Sequence, residues 1–220
     1  MKAGNERLVK IPSGSVVLEG MLELPKDAHG VVLFAHGSGS SRHSPRNNFV
    51  AARLREAGLG TLLIDLLTPE EDQDYDRRFD IALLVERLHD SVRWLAAEAS
   101  THGMPVGLFG ASTGAAAALQ LAAAVPSKVA AVVSRGGRPD LAGQMSLERV
   151  KAPTLLVVGG DDTEVLALNE AAYAELHCPK SIFIVPGATH LFEEPGTLEV
   201  AASHAAEWFT RHLAPALAKQ

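Results

Sequence analysis

From about residue 31 onward, short apolar runs alternate with stretches of helical pattern. The runs are VVLFAHG, TLLIDLL, PVGLFG, VAAVVS, TLLVVGG and SIFIVPG. Each is continuous rather than alternating in polarity, as expected of a parallel strand buried on both faces. Between and after them lie helical segments. IALLVERLHDSVRWLAAE sets Ile81, Leu84, Val85, Leu88, Val92 and Leu95 along one face. Residues 115–124, EVLALNEAAYAELH and TLEVAASHAAEWFTRHL read the same way. Such alternation implies an α/β fold with a mostly parallel central sheet and helices on both faces. Ahead of it, ERLVKI and SVVLEGMLEL, separated by Pro12 to Gly14, predict an antiparallel hairpin. A chain of 220 residues is expected to form a single domain spanning 1–220.

In sheets of this kind ligands bind at the carboxyl ends of the strands, so the residues that follow each run matter most. VVLFAHG leads into SGSSRHSPRN, PVGLFG into ASTG, TLLVVGG into DDTEV, and SIFIVPG into ATHLFEE. A serine, an acid and a histidine thus occupy equivalent ends of three strands, in the chain order Ser, Asp, His. A serine hydroxyl needs an adjacent base to become a nucleophile. A histidine supplies that base, and a carboxylate fixes its tautomer. The G-x-S-x-G pattern at Gly110–Gly114 makes Ser112 the candidate nucleophile, with the two glycines relieving a tight strand-to-helix turn. His190 alone lies in the loop between the last strand and the last helix, which makes it the candidate base. Asp161 and Asp162 are adjacent; the spacing G-x-x-D-x-x-V over Gly159, Asp162 and Val165 favours Asp162, with Asp161 the alternative. Backbone N–H groups of Thr113 and Ser38 are the candidate oxyanion donors, with Gly39 the alternative to Ser38. His36 would hydrogen-bond the oxyanion loop.

Arg42, His43 and Arg46 follow one strand end, and Arg135 and Arg138 another. If they face the pocket, their guanidinium forks could recognise an anionic group of the substrate. They could equally form structural salt bridges, and His43 could be a plain loop residue.

The charge of −6 argues against a nucleic-acid partner. The start, MKAGNERLVK, has no apolar core of a signal peptide, and AAAALQLAAAV is too short to span a membrane, so a cytoplasmic location without a membrane partner is expected. The one cysteine, Cys178, excludes an internal disulfide and carries no sign of reactivity. No H-E-x-x-H spacing appears, and GSGSSR lacks the spacings of nucleotide-binding loops, so neither metal nor cofactor is expected. The acidic stretch TPEEDQDYDRR reads as a solvated loop, and Trp94 and Trp208 as core residues.

FAHGSGSS, GASTGAAAAL, GGDDTEVLALN and PGATHLFEE together resemble the α/β-hydrolase superfamily, and within it the small dienelactone-hydrolase-like members. The resemblance runs from about Gly20 to the final helix. It implies hydrolysis of an ester, lactone or thioester through an acyl-enzyme, with Ser112, Asp162 and His190 as nucleophile, acid and base. True dienelactone hydrolases carry cysteine where this chain has Ser112. Many superfamily members insert a cap after the strand corresponding to VAAVVS. The space before TLLVVGG is too short for one, so an open pocket for a small acyl substrate is expected, unless a homo-oligomer closes it. An acyltransferase using the same triad, or a non-catalytic binding protein on the same fold, are the alternatives.

Overall fold

A computed structural model of the chain describes residues 5–214. Its centre is one eight-stranded sheet. Two antiparallel strands, β1 (Asn5–Ser13) and β2 (Val16–Leu24), form the first hairpin, turning at Gly14 with φ +55°. β1 is an edge strand, and it accommodates Pro12, which the sequence pattern places in the turn. The remaining strands are β3 (Val31–Ala35), β4 (Gly60–Ile64), β5 (Val106–Ala111), β6 (Ala131–Arg135), β7 (Thr154–Gly159) and β8 (Lys180–Val185). Their order is β1-β2-β4-β3-β5-β6-β7-β8, with every pair after β2–β4 parallel.

The helices are α1 (Pro45–Glu56), α2 (Ile81–Ala97), α3 (Thr113–Ala124), α4 (Gln144–Arg149), α5 (Thr163–Glu175) and α6 (Thr197–Leu213). Strand side chains alternate between the two faces, and this splits the core in two. Val31, Leu33 and Leu108 join Leu84, Leu88 and Ala116–Ala118 under α2 and α3. Val32, Phe34 and Phe109 join Val50, Leu54 and Phe209 under α1 and α6. α3 is buried almost all round, which explains its alanines: only small side chains let a helix lie this close to a sheet and its neighbours. On α2, Leu84, Leu88, Val92 and Leu95 are buried as expected, while Ile81 and Val85 are partly exposed at its rim.

Three further details refine the sequence reading. α1 has no counterpart among the helical patterns of the sequence. The acidic stretch folds into two 3-10 turns, Glu71–Gln73 and Asp76–Phe79, and Glu71 is anchored to buried Arg87 at 2.9 Å. Residues 136–153, between β6 and β7, where the sequence leaves no room for a cap, hold only a 3-10 turn and the six-residue α4. Among the described residues no helix is long and apolar enough to cross a membrane.

Candidate active site

β5 runs straight into α3 through Ser112, whose backbone is forced to φ +50° and ψ −121°. A non-glycine residue in that region is strained, and the surrounding backbone holds it there. Ser112 N–H donates to Arg135 O at 3.4 Å, and Ser112 O accepts from Ala115 N and Arg138 N, both at 3.1 Å. The flanking glycines serve packing. A Cβ on Gly110 would run into the Ala115 backbone, and one on Gly114 into the carbonyl oxygens of Ala35 and His36. A third glycine belongs with them: a Cβ on Gly37 would come to 3.0 Å from Ser112 Cβ.

β7 delivers Asp162 and β8 delivers His190, whose Nδ1 lies 2.7 Å from Asp162 Oδ2. An ionised carboxylate only accepts, so Nδ1 carries the proton and Nε2 is left free as a base. Asp162 stands at the N-cap position of α5 but makes no capping bond with its side chain. Asp161 is exposed, and its backbone N–H is spent on Ala188 O at 3.0 Å. A Cβ on Gly159 would collide with Ala188 O, so that glycine lets the two strand-end loops meet. Glu194 ties the His190 loop by accepting from Thr189 N at 3.1 Å and Thr189 Oγ1 at 2.6 Å. Ser112 and His190 line one open cavity of about 200 Å³. No hydrogen bond joins Ser112 Oγ to His190 in this structure; nucleophile–base contacts commonly tighten only when substrate binds.

Ser38 lies in the same cavity wall, and its N–H donates to Thr113 Oγ1 at 3.0 Å. The loop is anchored by His36, which is buried with Nδ1 2.9 Å from Gly37 O and Nε2 accepting from Leu66 N at 3.0 Å. Burial pushes the His36 pKa below its ordinary value, against the Gly37 hydrogen bond and the charges of Asp65 and Asp72. His36 is therefore a neutral strut with its proton on Nδ1.

The arginines separate into two kinds. Arg42 is consumed by structure, pairing with Glu19 at 2.6 Å and with Asp65, whose Oδ1 also accepts the Arg42 N–H at 2.7 Å. Arg138 forms a two-point pair with Asp140 at 2.9 and 2.7 Å. His43 is exposed. None of these three lines the cavity, which corrects the sequence reading that groups them as substrate-binding candidates. Arg46 and Arg135 do line it.

The model of the Dienelactone hydrolase family matches residues 18–214, nearly the whole described chain. The chain belongs to that family. A structure described as dienelactone hydrolase from Anabaena variabilis is 54% identical, covers 96% of this chain and 99% of its own, and superposes with a TM-score of 0.93. Est1E from Butyrivibrio proteoclasticus shares the fold at a TM-score of 0.79 and 15% identity, covering 93% of this chain and 98% of its own. Two Mycobacterium tuberculosis proteins provisionally named phosphoribosyl transferases are 57% identical over 205 residues, 93% of this chain. The chain spans 46%, about half, of the length of these curated relatives.

In this member of the dienelactone hydrolase family the cavity has a wall of which sequence reading named only Arg46. Ser44, Arg46 and Asn47 bring the first turn of α1 to its edge. Ser44 caps that helix by accepting from Asn47 N at 3.3 Å, and Pro45 occupies its first position. The dipeptide Ser44-Pro45 was the available signal for a helix start.

Proposed function

We propose that the chain is a serine hydrolase that cleaves an ester, lactone or thioester bond of a small substrate through an acyl-enzyme. The observation that carries this reading is the convergence of three strand ends. The strained Ser112 and His190 line one cavity, and Asp162 binds His190 from behind at 2.7 Å. Ser112 Oγ attacks the carbonyl carbon while His190 Nε2 takes its proton. The oxyanion forms at the N-terminus of α3, where Thr113 N–H and Ser38 N–H receive it. The intermediate collapses as His190 returns the proton to the departing alcohol or thiol. Water then enters, gives its proton to His190 and attacks the acyl carbon; Ser112 leaves with that proton. Throughout, Asp162 stabilises the imidazolium without taking the proton.

The test uses a fluorophosphonate probe and short-chain p-nitrophenyl esters on wild type and Ser112→Ala. Labelling and turnover of wild type alone support the reading. Equal labelling of both, or of neither, removes Ser112 as the nucleophile.

A further inference from the structure

Arg135 is the last residue of β6 and pairs in register with Ala111, the residue before Ser112. It is 6% exposed, yet among the described residues it forms no salt bridge, and its Nε has no hydrogen-bond acceptor. Burial, together with the nearby charge of Arg46, pushes its pKa down to about 10. It therefore stays charged at neutral pH. A buried cation without a counter-ion is costly, and a fold retains one where something else repays it. Its one visible support is the ring of Phe192, 5.4 Å below the guanidinium carbon. Phe192 reaches that place through a left-handed backbone, φ +57°, two residues after His190.

We propose that Arg135, Arg46 and the first turn of α1 form a phosphoryl-binding subsite beside Ser112, so that the substrate carries a phosphate group next to its scissile acyl bond. A carboxylate is a planar monoanion that one guanidinium fork satisfies. This cavity presents two guanidiniums and a helix N-terminus whose first turn holds no acidic residue. Their summed positive charge and spread of donors fit a tetrahedral dianion with three terminal oxygens. Arg46 rests on Glu193 at 3.0 Å, and Glu193 is 63% exposed, so this partner is a solvated one that a phosphate can replace. The substrate class rests on the serine hydrolase reading above; the binding of the anion does not.

The experiment separates the two. Titrate Ser112→Ala protein calorimetrically with inorganic phosphate and, at matched ionic strength, with acetate. Repeat with Arg135→Met, Arg135→Lys and Arg46→Gln added to it. Phosphate is expected to bind more tightly than acetate, and roughly tenfold more weakly after Arg135→Met. Arg135→Lys keeps the charge without the fork and falls between. If Arg135→Met does not fold, Arg46→Gln, whose side chain is partly exposed, tests the same subsite: a loss of several-fold supports it, and unchanged affinity overturns it. Phosphate binding that no substitution changes marks an adventitious ion only and overturns the proposal, as does acetate binding as tightly as phosphate. Esterase activity without phosphate binding defeats the subsite and leaves the hydrolase; phosphate binding without Ser112 labelling does the reverse.

Discussion

The backbone N–H of Ser38 donates to the side-chain hydroxyl of Thr113 at 3.0 Å, so the two residues placed around the oxyanion are already bonded to each other. On the proposed mechanism the hydroxyl of Thr113, a residue 2% exposed, occupies the donor that the developing oxyanion needs. On that mechanism it would stand in for the oxyanion between turnovers and keep the Ser38 N–H paired. Thr113→Val preserves the shape and removes the acceptor. The free enzyme then loses about 0.5–1.5 kcal/mol with the hydrogen bond, since Ser38 is exposed and water can reach its N–H. The bond is absent from the transition state, so turnover of p-nitrophenyl acetate should stay within about tenfold of wild type. Thermal unfolding and steady-state kinetics check both parts; a loss of roughly a hundredfold in kcat with unchanged stability would mean that the hydroxyl aims the donor during reaction.

Asp162 and Asp161 differ in what they touch, and this separates them in function. Asp162→Asn replaces the acceptor that fixes the His190 tautomer, and should lower kcat by about 10³–10⁴-fold. Asp161→Asn changes an exposed side chain and should cost less than about threefold. Turnover of the two variants on one ester decides it, and a larger loss at Asp161 overturns the assignment of the acid.

Arg42 and Arg138 test the division of the arginines. Arg42 is mostly buried between Glu19 and Asp65, so Arg42→Met leaves the Asp65 carboxylate with fewer partners. Unfolding stability should fall by about 1–3 kcal/mol. Arg138 is partly exposed and, among the described residues, paired only with Asp140, two residues away. Arg138→Met should change stability by less than about 0.5 kcal/mol. Neither should alter phosphate binding by more than about twofold, measured by the same calorimetric titration.

These contrasts mark how far the sequence could be read. Strands β3 to β7 were legible because each is buried on both faces, as a run such as Val31–Ala35 shows directly, while β8 reads the same way in sequence although only Val185 in it is buried. Once they were located, topology directed attention to their carboxyl ends, and Ser112, Asp162 and His190 stood out there. α1 was weakly marked, because the buried stripe of PRNNFVAARLRE, Asn47, Val50, Ala51 and Leu54, keeps helical spacing but is short, begins with a polar residue and holds only two large apolar side chains. The arginines were visible as residues but not as roles. Which of them is neutralised depends on Glu19, Asp65 and Asp140, and the first two reach Arg42 from β2 and from the end of β4. The left-handed Phe192 that underlies Arg135 left no mark in composition or spacing, since glycine is the residue that normally advertises such a backbone.

His36 makes stability depend on pH in a definite direction. In the folded chain its pKa lies below the ordinary 6.5, first because burial disfavours the imidazolium. One bond works the same way, since Nε2 accepts from Leu66 N–H and a proton there would set donor against donor, while the Gly37 bond and the charges of Asp65 and Asp72 oppose the shift. Above pH 6.5 the side chain is neutral in both states, and the strut contributes in full. As pH falls below 6.5, the unfolded chain takes up a proton that the folded chain refuses. Stability then declines by up to about 1.4 kcal/mol per pH unit, until the folded pKa is reached. His36→Asn removes the titration, so it should be less stable than wild type at pH 8, with the gap narrowing between pH 6.5 and 5. Denaturant unfolding of both proteins across that range is the measurement. A gap that stays constant with pH would show that His36 is not the buried neutral group that holds the oxyanion loop to the end of β4.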